Sequence, residues 1–281
     1  MLNSTTFTKS IADQGHPNLK RMLIKVPEVT LYFWVIKVLA TTVGETAADY
    51  LATNLNLGLT GTTLIMSGLL AIALGFQFHA RRYVPGLYWL AVVLISVVGT
   101  LITDNLVDNL GVSLRVCTAV FGVAMLSTFG AWYASEKTLS IHSITTIKRE
   151  AFYWLAILFT FALGTAAGDL IAEGFNLGYF NSVLLFIAII ALVAIAYRFL
   201  NLNTILAFWV AYVLTRPLGA SMGDLLSQTK EAGGLGWGTT VTSVVFLTAI
   251  LAVVIYMTKV QQRQPDASIN EGQSRSMKVN E

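Results

Sequence analysis

A chain of 281 residues that is 55% hydrophobic and only 12% charged carries about half the charge of an ordinary soluble domain, so it is not one. Its net charge of +3 comes from basic residues in predicted loops, which excludes the dense basic face of a nucleic-acid binder. The single cysteine, Cys117, rules out an intrachain disulfide and a thiolate metal cage.

Residues 1–28 are polar, lack the apolar core of a signal peptide, and read as a cytoplasmic segment. Apolar stretches long enough to cross a bilayer then predict transmembrane helices near 29–54, 60–79, 84–109, 113–133, 150–174, 180–199, 202–227 and 239–259. They pair into four hairpins: repeat 1 (29–83), repeat 2 with a cytoplasmic link (84–149), repeat 3 (150–201) and repeat 4 (202–260). Three hairpins turn on Asn56-Leu57-Gly58, Asn109-Leu110-Gly111 and Asn176-Leu177-Gly178, a chemistry suited to tight helix connections. The tail 261–281, rich in Gln, Ser, Asp and Asn, is expected to be disordered.

The first helix of each hairpin carries one motif: Trp34…Gly44…Asp49, Trp89…Gly99…Asp104, Trp154…Gly164…Asp169 and Trp209…Gly219…Asp224. Trp to Gly is ten residues and Gly to Asp five in every copy, the signature of internal duplication. Basic residues mark the amino-terminal segment, the links between repeats and the tail: Lys20, Arg21, Lys25, Arg81, Arg82, Lys137, Lys148, Arg149, Arg198, Lys259 and Arg263. Turns inside the hairpins hold only Arg115 and Lys230. Basic loops stay in the cytoplasm, so both termini are expected there.

The expected fold is an all-α polytopic membrane protein. Its eight transmembrane helices form four parallel two-helix repeats around an axis along the membrane normal. A pseudo-fourfold or a two-plus-two arrangement is expected, and equal Trp spacings of 55 within each half, against 65 between halves, favour two-plus-two.

Residues four apart share a helix face. That spacing aligns Lys37, Thr41, Glu45, Asp49 and Thr53, then Ser96, Thr100, Asp104 and Asp108. It also aligns Thr165, Asp169 and Glu173, and finally Arg216, Ala220, Asp224 and Gln228. Turning these carboxylates to lipid would cost on the order of 20 kcal/mol, so the stripes face inward. Gly44, Gly99, Gly164, Gly168, Gly219 and Gly223 read as helix-packing positions, because small residues let membrane helices approach closely. The Trp set reads as an anchor at the inner interface.

The stripes hold seven acids (Glu45, Asp49, Asp104, Asp108, Asp169, Glu173, Asp224) and two bases (Lys37, Arg216). Seven minus two leaves five negative charges, an excess that calls for protons or a bound cation. Oxygen ligands suit Mg²⁺, Ca²⁺ or Mn²⁺. Met222 reads first as packing; as a ligand it would tilt the choice toward Mn²⁺. Asp49, Asp104, Asp169 and Asp224 are the expected metal site, with Glu45, Asp108 and Glu173 as further ligands or proton carriers. The alternative for the quartet is hydrogen-bond glue between helices. Arg216 reads either as the ion-pair partner of a carboxylate on a neighbouring helix or as an internal cation that drives release. Pro217 would kink its helix, and Lys37 is either a counter-charge or a snorkelling side chain.

The run Lys25-Val26-Pro27-Glu28-Val29-Thr30, with Phe33-Trp34, Gly44-Glu45-Thr46 and the four Gly…Asp copies, resembles the bacterial "repeat of unknown function" membrane proteins over about residues 25–260. The resemblance implies a bacterial inner-membrane protein and assigns no activity.

The residues themselves point to a secondary transporter that moves a hard cation, with Mn²⁺ favoured, in exchange for protons, export being preferred. Its partners are the lipid bilayer, the cation and protons, with room for a homo-oligomer; no nucleic acid and no resident cofactor are expected. The rivals are a passive channel with a carboxylate ring, an organic-cation carrier and a structural membrane protein. An enzyme is disfavoured, because the chain shows no metalloprotease His pair, no nucleophile–base pair and no cofactor loop.

Overall fold

The computed structural model describes residues 24–54 and 57–259 in full, and the backbone alone from 260 to 279. The segment before residue 24 and the tail expected from Gln261 lie outside the fully described residues. Eight long helices are described: α1 (Leu31–Asn54), α2 (Gly58–His79), α3 (Pro85–Asp104), α4 (Leu114–Glu136), α5 (Ile147–Asp169), α6 (Tyr179–Phe199), α7 (Thr204–Ser227) and α8 (Thr239–Val279). α3 and α5 each run on into one π-helical turn, Asn105–Asn109 and Leu170–Gly174. No strand occurs among the described residues.

Local chemistry sets the helix ends. Pro85 opens α3, while Ser113, Thr146 and Asn203 accept backbone N–H bonds as caps of α4, α5 and α7. In the three Asn-Leu-Gly turns the glycine takes the left-handed backbone that other residues resist: φ is +64° at Gly58, +66° at Gly111 and +77° at Gly178.

Seven helices are long and apolar enough to cross a membrane, with the apolar part of α8 ending at Lys259. The chain is therefore a multi-pass membrane protein. α1 falls outside this group; it carries Lys37, Glu45 and Asp49.

The odd-numbered helices form a closed ring. α1 packs on α3, α3 on α5, α5 on α7, and α7 back on α1. The even-numbered helices lie outside it. Each covers mainly the ring helix of the following repeat: α2 lies on α3, α4 on α5, α6 on α7, and α8 returns to α1. In the apolar windows of α3, α5 and α7, 67%, 56% and 56% of residues are buried, against 17–22% in the outer helices. Leu64, Ile72, Phe76, Val123, Leu126, Leu192 and Leu251 face outward, as a lipid-contacting surface requires. The ring is continuous, so the longer middle link does not divide the bundle into two halves. That link packs on the end of the ring away from the hairpin turns, where the Trp209 indole donates to the Leu139 carbonyl at 2.9 Å.

The ring is sealed by a cyclic fit. A methyl group built on Gly44 would lie 2.5 Å from Ser96 Cβ. On Gly99 it would lie 2.7 Å from Phe161 Cβ, on Gly164 2.6 Å from Arg216 Cβ, and on Gly219 2.5 Å from Thr41 Cβ. Each motif glycine thus receives the side chain three residues before the next motif glycine, four times round. This is pseudo-fourfold packing, and it needs a hydrogen at each seat. Gly168 and Gly223 extend it, facing Pro217 and Ala220, and Glu45 and Thr42, respectively.

One hydrogen bond pins the last helix to the first: Thr46 Oγ1 and Ser243 Oγ lie 2.8 Å apart, buried between α1 and α8. Ser243→Ala is expected to lower stability by about 0.6 kcal/mol, the usual worth of such a bond between membrane helices. Reversible unfolding in mixed micelles measures it.

Candidate functional site

The four inward stripes stack as layers about 6 Å apart, one turn-and-a-bit of helix each. At the end away from the hairpin turns the layer is aromatic. Phe33, Tyr88, Tyr153 and Tyr212 are buried, as are Trp89, Trp154 and Trp209, while Trp34 is half-buried. The tryptophans are therefore core packing and not an interfacial belt; they pack edge to face on the neighbouring Phe and Tyr rings.

The next layer holds Lys37. It is fully buried, with Nζ 3.9 Å from the Phe161 ring centre and 4.1 Å from that of Tyr212. It does not snorkel: it is enclosed by rings from α5 and α7.

Arg216 fills the middle. Its guanidinium donates to the Thr41 carbonyl at 2.6 Å, to Glu45 Oε2 at 2.8 Å and to Thr165 Oγ1 at 2.7 Å, and also to Thr100 Oγ1. Thr41 and Glu45 belong to α1, Thr100 to α3 and Thr165 to α5, while Arg216 itself comes from α7. A side chain bonded to all three other ring helices occupies the axis. Arg216 and Glu45 are both buried and form an ion pair, supported by the further hydrogen bonds of the two terminal guanidinium nitrogens, while Nε has no hydrogen-bond partner among the described residues. Pro217, next to Arg216, sits inside α7 and packs on Gly164 and Gly168.

One turn further lies the aspartate quartet, one residue per ring helix. Asp224 is buried, while Asp49, Asp104 and Asp169 are half-buried. No hydrogen bond among the described residues holds any of the four carboxylates. Beyond them Asp108 and Glu173 are exposed, each on a π-helical turn, a local widening common at functional sites. Tyr179 donates to Glu173 Oε1 at 2.8 Å. Asn105, at the start of the first π turn, donates to Thr63 at 2.6 Å and to the Leu101 carbonyl at 2.8 Å. The acids thus become less buried from Asp224 to Asp108 and Glu173, toward the hairpin turns, with Arg216 on their buried side.

Among the described residues, no three His, Cys, Asp or Glu side chains come together closely enough to grip one metal ion. Asp49, Asp104, Asp169 and Asp224 therefore surround the axis without forming a dry coordination sphere in this conformation. Each hangs from a separate ring helix, and the hydrogen-bonded guanidinium of Arg216 lies beneath them.

A second buried ion pair lies at the end opposite the hairpin turns, away from the stripes. Lys25 Nζ meets Glu150 Oε2 at 2.7 Å and the Phe78 carbonyl at 3.0 Å, and Gln77 donates to Glu150 Oε1 at 3.1 Å. It ties the segment before α1 to α2 and α5. In the sequence Lys25 reads only as a loop charge. Glu150, four residues before Trp154, is the one acid at a ring-helix start among the four copies, and that asymmetry is the signal that was there to find.

No curated protein and no solved structure matches the chain. Its sequence does match a family model in four copies, over residues 32–83, 87–138, 152–202 and 207–263. The chain belongs to the family described as Repeat of Unknown Function (DUF347).

Proposed function

We propose that the protein is a secondary transporter that exchanges a hard cation for protons, with Asp49, Asp104, Asp169 and Asp224 as its cation site. The observation that carries this reading is the axial order of charges: a row of carboxylates that grow more exposed toward the hairpin turns, then Arg216 bound to Glu45, then an aromatic floor. Carboxylates with solvent access attract a cation and part of its water, which fits hard divalent ions with oxygen ligands, Mn²⁺ first. The guanidinium on Glu45 competes with that cation for negative charge, so it opposes deep binding and favours release. Protons neutralise the acids when the cation leaves.

A passive channel is the weaker reading, because Arg216 lies across the axis and Tyr88 and Tyr153 close beneath it with hydroxyls 2.5 Å apart. In this reading the membrane is a bacterial inner membrane, and the basic loops support termini in the cytoplasm. The acids would then open outward, which favours export.

The test is flux into proteoliposomes loaded with a pH dye and a metal dye. Mn²⁺ movement coupled to proton counterflow is expected from the wild type, and none from Asp104→Asn, a variant that keeps shape and loses charge. Equal flux from both proteins would overturn the proposal.

A further inference from the structure

One turn beyond the aspartate quartet, four residues past each member, stand Thr53, Asp108, Glu173 and Gln228. Only two of these are acids, and they lie on neighbouring ring helices, α3 and α5. Those are also the two helices that run on into a π turn, a feature common at functional sites. The charge of this tier is therefore gathered on one side of the axis.

The two acids differ in how they are held. No hydrogen bond among the described residues reaches the Asp108 carboxylate. Glu173 Oε1 accepts from the Tyr179 hydroxyl at 2.8 Å, while Oε2 has no hydrogen bond among the described residues. Tyr179 is the buried first residue of α6, set directly after Gly178, whose φ of +77° turns the chain. The residues after the glycine in the other two Asn-Leu-Gly turns are Leu59 and Val112, and neither has a hydroxyl. The charges that act on the Tyr179 hydroxyl are Glu173, Asp224 and Asp169. Glu173 in turn acts on Asp49, Asp169 and Asp224, three of the four members of the quartet.

An exposed glutamate otherwise samples many rotamers. A phenol that gives its one proton to Oε1 fixes where the carboxylate points and leaves the other oxygen for a cation. Carboxylates that ligate metals are held this way by a hydrogen-bonding neighbour. We infer that Tyr179 is a positioning residue of the cation site. It holds Glu173 as the first carboxylate to meet a hydrated divalent cation, on the α5 side of the axis, before the cation reaches the aspartates. Tyr179 thereby brings an outer helix into a site otherwise built from the ring. The inference rests on the exchange reading above and gives it an entry point.

The experiment uses the full chain, with Mn²⁺ as the probe. KM and the maximal rate of Mn²⁺ exchange are measured in proteoliposomes, and equilibrium Mn²⁺ binding in micelles. The wild type is compared with Tyr179→Phe, Glu173→Asp, Glu173→Gln and the double variant Tyr179→Phe with Glu173→Gln. Phenylalanine keeps the ring and loses the proton donor; aspartate keeps the charge and draws it back from Tyr179. Both are expected to raise KM and weaken binding about 10-fold, the lower end of the loss for such a partner, while the maximal rate holds. The double variant is expected to bind no more weakly than Glu173→Gln, because the hydroxyl acts only through the carboxylate. Wild-type KM and binding in Tyr179→Phe, with exchange intact, overturn the inference and leave the exchange reading standing. A further loss of binding in the double variant does the same. So does a Tyr179→Phe protein that loses only maximal rate and melting temperature, since the bond would then merely staple α6 to the π turn. If the wild type neither binds nor exchanges Mn²⁺, the exchange reading itself fails and the inference falls with it.

Discussion

Gly44→Ala is expected to destabilise the fold by about 3 kcal/mol, the upper end of the overpacking range, and Ser96→Gly in the same chain is expected to recover most of that. The added methyl group would meet Ser96 Cβ at 2.5 Å and the Ser96 backbone carbon at 3.0 Å. Neither atom is the free end of a side chain, so α1 or α3 would have to move. In an open bundle a helix can shift outward at modest cost. Here each ring helix is held by two ring neighbours and an outer helix, so a shift at one seam loads the next. Removing the Ser96 side chain empties the seat and leaves only the backbone approach, together with about 1 kcal/mol for a second helical glycine.

The same logic makes the rescue specific. Thr41→Gly is expected to relieve Gly219→Ala and to do nothing for Gly44→Ala, because Thr41 fills the seat at Gly219. Thermal unfolding of the purified variants, followed by loss of the monodisperse peak in size exclusion, measures all four combinations. Equal rescue of Gly44→Ala by either partner would show that the ring order is wrong.

Much of the ring was legible because duplication preserved register. The period of four in Lys37, Thr41, Glu45 and Asp49 fixed which face of α1 is polar, and three more copies fixed the same face on α3, α5 and α7. The motif glycines were legible as packing positions, though not what each receives. The seat of Gly99 takes Phe161 and that of Gly164 takes Arg216, and no rule of spacing within a helix names a partner 62 or 52 residues away. Which outer helix covers which ring helix was equally hidden, since a tight Asn-Leu-Gly turn allows α2 to lie on α1 or on α3. The tryptophans misled for a physical reason. An aromatic residue at the start of a membrane helix has the composition of an interfacial belt, and only the closure of the ring turns three of the four indoles fully inward. Lys37 reads from α1 alone as a long cation near one end, able to snorkel, whereas the rings that enclose it come from repeats 3 and 4. The π turns after Asp104 and Asp169 have no local signal at all, since an extra residue per turn is stabilised by neighbours such as Thr63 and not by the sequence of the turn itself.

Arg216→Met is expected to be the most damaging single change in the axis, at about 3–5 kcal/mol, because it strands Glu45 as a buried charge without its partner. The two threonines lose less. Thr100 keeps the Ser96 carbonyl at 3.3 Å and Thr165 keeps the Phe161 carbonyl at 3.2 Å, so each hydroxyl still has a partner on its own helix. The loss therefore falls mainly on Glu45 and on the Thr41 carbonyl, and Glu45→Leu added to Arg216→Met is expected to restore stability to near that of the wild type. Buried pairs replaced by apolar residues of similar volume are often neutral or better. Arg216→Lys separates charge from shape. A lysine has three donors on one atom and cannot reach Thr41, Glu45, Thr100 and Thr165 together, so it is expected to fall between the wild type and Arg216→Met. Chemical unfolding in micelles orders the four proteins. If Arg216→Met were as stable as the wild type, Glu45 would not depend on this guanidinium for its charge. If the double variant folds but Mn²⁺ flux loses its dependence on the proton gradient, the pair serves the exchange itself. Stability alone then no longer accounts for an ion pair held in the middle of a membrane ring.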